Sequence, residues 1–112
     1  MRGNARPQVK RRIRSIVRRL AARFRPDQII LFGSHARGSA TSDSDVDLLV
    51  VMPLDGGRRE TEIEIAVALS DIRMAKDIIV AAPEELVRFR DVAGTVIRAA
   101  LREGKVVYAR SG

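Results

Sequence analysis

The chain has 112 residues, is 46% hydrophobic and 31% charged, and carries 21 Lys and Arg against 14 Asp and Glu for a formal charge of +7. That length holds one domain, and the composition is too apolar for a disordered chain. With no Cys, disulfides, thiolate zinc sites and cysteine nucleophiles are excluded; no apolar run reaches the ~20 residues of a membrane span, and none follows the basic N-terminus as a secretory signal requires, so a soluble cytoplasmic protein is expected.

Residues 1–8, with Gly3 and Pro7, read as a loose tail. A basic amphipathic helix over residues 9–25 follows, in which Val9, Ile13, Ile16, Val17, Leu20 and Phe24 recur at helical spacing. Ten of the 21 basic residues (Arg2, Arg6, Lys10, Arg11, Arg12, Arg14, Arg18, Arg19, Arg23 and Arg25) precede the first acid, Asp27, and the rest of the chain is net acidic. Three explanations fit the segment: a helix packed on the domain with arginines outward, a surface for RNA or another polyanion, or an organelle transit peptide.

Gln28–Phe32 is a short apolar run with the character of a buried strand, ended by Gly33. Residues 34–44 read as a polar loop that can begin with one helical turn. Residues 46–52 form a second strand, 53–57 a turn, and 58–73 a helix with Glu60, Glu62 and Glu64 near its start and Ile63, Val67 and Ser70 on the face that continues to Met74. A third strand is expected at 76–81. A single helix from Pro83 to about Arg102 carries the stripe Leu86, Phe89, Ala93, Val96, Ile97, Ala100 and Leu101, and Gly104 separates it from a last strand at 105–109. The expected fold is α/β (α+β): a mixed sheet of about four strands covered by helices.

Three aspartates stand where strands begin: Asp45 and Asp47, two apart and therefore on one strand face, and Asp77 on the next strand. Crowded carboxylates raise one another's pKa and oppose folding unless a cation lies between them. Oxygen ligands without His or Cys suit Mg2+ or Mn2+. Gly33 and Ser34, after a strand, offer backbone N–H groups and a hydroxyl to a phosphate, and Arg37 follows within one turn. No P-loop and no dinucleotide-binding glycine turn is present, which removes the warrant for kinase and dehydrogenase readings.

Residues 31–38 (LFGSHARG) and 42–50 (SDSDVDLLV) together resemble the Gly-Ser to Asp-x-Asp signature of the DNA polymerase β-like nucleotidyltransferase superfamily, in particular its minimal nucleotidyltransferase branch. Residues 76–80 (KDIIV) and 101–108 (LREGKVVY) extend the resemblance over most of the chain, with His35 standing where an arginine is common. The resemblance implies the polymerase β-like fold in one domain over residues 1–112. It implies two metal ions on Asp45, Asp47 and Asp77, a further role for Asp77 in deprotonating an acceptor hydroxyl, and ATP as substrate. Gly33, Ser34, Arg37 and Ser44 would bind the nucleotide.

Relatives that modify small molecules or RNA ends generally carry a second, acceptor-binding domain, for which 112 residues leave no room. In the minimal branch the acceptor is typically an all-helical HEPN-type toxin, which the nucleotidyltransferase neutralises as antitoxin, in some pairs by adding AMP to a tyrosine. The expected function is therefore transfer of a nucleoside monophosphate to a hydroxyl of such a partner in a homo- or hetero-oligomer. The alternatives are an antitoxin acting by contact alone and a subunit of a small-molecule (antibiotic) nucleotidyltransferase.

Overall fold

A computed structural model describes residues 7–41 and 43–111. Residues 1–6 of the tail expected over 1–8, and Ser42 of the signature, lie outside them. The elements in order are α1 (Pro7–Phe24), β1 (Gln28–Phe32), α2 (Ser34–Arg37), β2 (Val46–Val51), α3 (Arg58–Ala68), β3 (Lys76–Ala81), α4 (Pro83–Phe89), α5 (Val96–Glu103) and β4 (Lys105–Ala109).

The strands form one mixed sheet in the order β3-β2-β1-β4. β1 runs antiparallel to β2 and β4, whereas β2 and β3, joined through α3, are parallel. Strand alternation divides the core in two. Ile29, Leu31, Leu48, Val50 and Val80 face α1 and α3, meeting Ile13, Ile16, Leu20 and Ile65. Ile30, Leu49, Val51 and Ala81 face α4 and α5, meeting Ala100 and the half-buried Leu86 and Ile97. Ile16 and Leu20 are fully buried, so truncating either to Ala costs about 2–5 kcal/mol.

Several boundaries differ from the sequence reading. α1 begins two residues earlier, because Pro7 and Gln8, assigned to the tail, are helical; a proline is tolerated in a first turn, where its missing N–H has no partner to lose. It ends at Phe24, with Arg25 in left-handed backbone (φ 46°) before Pro26.

α3 stops at Ala68 and buries Thr61, Ile65 and Ala68, leaving Ile63 and Val67, expected inside, 52% and 68% exposed. The buried stripe includes a threonine whose hydroxyl donates to the Gly57 carbonyl at 3.0 Å. Its polar group is thereby satisfied, which an apolar count along the helix cannot register.

The long C-terminal helix is two. Gly94 takes φ +86°, and Thr95 caps α5 by accepting the Arg98 N–H at 3.2 Å. The cap redirects the chain, so Ala93 of the expected stripe is exposed in the connection.

Candidate active site

Asp47 and Asp77 sit at one end of the sheet, on the side that faces α4 and α5. Asp47 shares its strand face with Leu49 and Val51, and it pairs in register with Phe32 of β1 and Asp77 of β3. Asp45 precedes β2 by one residue and lies two positions from Asp47. Asp45 and Asp77 are exposed; Asp47 is half-buried. Burial first, then repulsion from Asp77 and Asp45, holds the Asp47 carboxyl above its ordinary value of 3.8, against the opposing pull of His35 and Arg37. Both halves of the signature therefore act on one carboxylate.

Gly33 explains how they meet. It leaves β1 with φ +74°, a conformation that L side chains rarely adopt. A Cβ at this position would overlap Asp47 Oδ2 and stand 3.2 Å from Cγ. The missing side chain is the space that Asp47 occupies. The chain then turns at once into α2, closed by Ala36 and Arg37 N–H groups donating to the Gly33 carbonyl, both at 3.1 Å. Ser34 opens this turn, half-buried beside the carboxylates' strand end.

The other expected nucleotide contacts have partners within the protein. Arg37 donates to Glu103 Oε1 of α5 at 2.9 Å, an exposed ion pair that ties α2 to α5. Ser44 Oγ accepts the Thr41 N–H at 2.9 Å and so shapes the loop before Asp45. His35 Nε2 lies 3.2 Å from the Ser44 carbonyl, bracing that loop from α2, while its Nδ1 is buried without a partner among the described residues. Glu103 was not singled out in the sequence, where it reads as one more polar residue of an exposed helix end; only the pairing of α2 with α5 gives it a place here.

An open groove of about 670 Å³ runs along α5 and includes Thr95, Arg98, Arg102 and Glu103. It adjoins the Arg37 pair through Glu103, but the three aspartates are not among its walls. Among the described residues no three His, Asp or Glu side chains are gathered closely enough to hold an ion as they stand. The donor set nevertheless suits a hard divalent cation: carboxylate oxygens on adjacent strands, with the half-buried Asp47 destabilised by its acidic neighbours.

The profile of the Nucleotidyltransferase domain family matches residues 10–107. The chain belongs to that family. Over 45 residues, 38% of its length, this nucleotidyltransferase domain is 44% identical to a proposed protein adenylyltransferase of Methanocaldococcus jannaschii, and the match spans only 45% of that relative.

Among solved structures, a proposed nucleotidyltransferase from Sulfolobus solfataricus matches with a TM-score of 0.63 at 22% identity, over 98% of this chain and 94% of that one. A proposed minimal nucleotidyltransferase matches with 0.58 at 26% identity, over 88% and 91%. A toxin-antitoxin structure with AMP-PNP matches with 0.54 at 21% identity, over 86% and 72%. These likenesses establish the nucleotidyltransferase fold with its mixed sheet, the architecture expected from the sequence. No helix among the described residues is long and apolar enough to cross a membrane.

Proposed function

We propose that this nucleotidyltransferase domain transfers AMP from ATP to a hydroxyl of a partner protein, and that it serves as antitoxin to an all-helical HEPN-type toxin in the cytoplasm. The observation that carries the reading is the half-buried Asp47 carboxylate, in register with Asp77 on β3 and seated against Gly33, where a side chain would overlap it. The similarity to a proposed protein adenylyltransferase and to a toxin-antitoxin structure with AMP-PNP supports the nucleotide and the class of acceptor.

In this reading Asp45 and Asp47, with Asp77, hold Mg2+ or Mn2+, two ions in the full complex. Bound there, the metal supplies charge neutralisation at the phosphates. Backbone N–H groups at Gly33 and Ser34 seat the β- and γ-phosphates, and Arg37, released from Glu103, balances the charge that develops on pyrophosphate. Ser44 holds the loop that carries Asp45. Asp77, exposed at the rim, takes the proton of the acceptor hydroxyl as its oxygen bonds to the α-phosphorus and the bond to pyrophosphate breaks. Charge positioned in advance and an aligned acceptor are the main sources of rate in phosphoryl transfer.

The test is transfer of label from α-labelled ATP to the product of the adjacent gene, with Mg2+ or Mn2+ and after chelation. Label on the partner that disappears in Asp45→Asn and Asp47→Asn supports the reading. Neutralisation of the partner without label, unchanged in those variants, would replace it with inhibition by contact. That second reading draws its support from the ungathered state of the carboxylates and from the engagement of Arg37 by Glu103.

A further inference from the structure

The outward side of α1 carries a row of arginines for which the carboxylate site has no use. Ile13, Ile16 and Leu20 define the buried side of the helix. At about 3.6 residues per turn, Arg11, Arg14 and Arg18 fall on the opposite side. All three are exposed, and Lys10 flanks them. They extend over roughly 10 Å of helix axis. No described carboxylate forms an ion pair with any of them. Arg19, by contrast, is engaged by Asp71 and donates to the Ala68 carbonyl at 3.0 Å.

An acidic protein surface and a nucleic acid strand both complement such a row. The residues between and beside the arginines decide between them: Gln8, Ser15 and Ala22, all exposed, with no large apolar side chain. A protein interface is built around an apolar, charge-depleted centre, which this side of α1 lacks. Phosphate recognition needs only cations spaced along a backbone. Gln8 and Ser15 add hydrogen-bonding groups of the kind that meet ribose hydroxyls, which RNA has and DNA lacks. We infer that Arg11, Arg14 and Arg18 form a phosphate-binding ridge for single-stranded RNA. The ridge lies across the sheet from the aspartates, since α1 packs on the face of Leu48 and Val50 and Asp47 shares the other with Leu49 and Val51. RNA on α1 therefore leaves the nucleotide site free.

Fluorescence anisotropy of a labelled 20-nucleotide single-stranded RNA with the full chain tests this. Three phosphate contacts give a slope of about −2 in log affinity against log salt, or a loss of roughly 20-fold between about 50 and 200 mM. Replacing Arg11, Arg14 and Arg18 by Gln flattens the slope and weakens low-salt binding at least tenfold. Removing equal charge elsewhere, by Arg59→Gln, Arg73→Gln and Arg90→Gln, leaves the slope in place. If the triple variant melts early, each single Arg→Gln variant lowers the slope by about 0.7. The inference is overturned by absence of binding at the lowest salt, by equal effects of the two triple variants, by equal affinity for the deoxy strand of the same sequence, or by displacement with polyglutamate as effective as with RNA.

Discussion

The α-carbon of Gly33 lies against the carboxylate of Asp47, so the residue that turns the chain out of β1 also makes room for the acid on β2. Gly33→Ala would both strain the positive φ and push Asp47 aside. Such a conformation costs about 1–3 kcal/mol in a non-glycine residue, and an error near 1 Å in a reacting group costs roughly 100-fold in rate. The expected variant is folded, with a lowered melting temperature, and at least about 100-fold slower in nucleotidyl transfer. An alanine variant at wild-type rate would remove the link between the two residues.

Asp47→Asn is expected to act in opposite directions on stability and on activity. The Asp47 carboxyl is raised first by burial and then by Asp77 and Asp45. A raised acid opposes folding wherever it is ionised, so its penalty is full at neutral pH and is lost as pH falls through the folded pKa toward the ordinary carboxylate value. In metal-free buffer near neutrality the Asn variant should melt a few degrees higher than wild type, and the gap should close on acidification. Transfer activity should be lost. Scanning calorimetry at several pH values reads the first effect, and a variant less stable than wild type at neutral pH would show that repulsion is not what Asp47 experiences.

The register of Asp47 with Asp77 was readable in the sequence, since Asp77 had only to fall near the start of a parallel neighbouring strand, as it does. Asp45 lies just before β2, and how closely the three acids approach one another depends on loop packing that strand alternation does not encode. The four strands were readable as short apolar, β-branched runs bounded by turn residues. Helices were less so. The Thr61, Ile65 and Ala68 stripe depends on a threonine whose hydroxyl finds the Gly57 carbonyl, and the break between α4 and α5 depends on Gly94 and on the Thr95 cap. Both are local hydrogen-bonding choices that apolar periodicity does not encode. The Arg37–Glu103 pair joins residues 66 positions apart and becomes visible only when α5 is laid beside α2.

That pair leads to a prediction about nucleotide affinity. Both side chains are about half exposed, 53% and 45%, so the pair itself contributes at most about 1 kcal/mol to stability. If Arg37 turns to phosphate, Glu103 competes with the nucleotide for it. Glu103→Gln should leave the melting temperature within a degree or two and tighten ATP binding severalfold, whereas Arg37→Gln should weaken it by about tenfold, the loss expected for one charged hydrogen bond. Calorimetric titration with ATP and Mg2+ measures both. Weaker ATP binding in Glu103→Gln would instead make Glu103 the residue that holds Arg37 in place for phosphate.

Acid sensitivity should trace in part to Glu85. Arg58, at the start of α3, reaches across to donate to the Val80 carbonyl at 2.5 Å and to Glu85 Oε2 at 2.6 Å, while Glu85 Oε1 accepts the Ala82 N–H at 2.8 Å at the head of α4. The Arg58 hydrogen bond first, and the Ala82 N–H second, hold the Glu85 carboxyl below its ordinary value of 4.5. A lowered acid stabilises the fold at pH above its unfolded value, and that contribution is lost as pH falls through the folded pKa. Wild type should therefore lose melting temperature more steeply than Glu85→Gln as pH is lowered from about 5 toward 3, the span in which an acid of ordinary or depressed pKa titrates. The glutamine can keep an acceptor for Ala82 but has no charge for Arg58, so the variant should be less stable at neutral pH and the two curves should converge in acid. Parallel curves over that range would mean that the clasp between α3 and α4 draws nothing from the ionisation of Glu85.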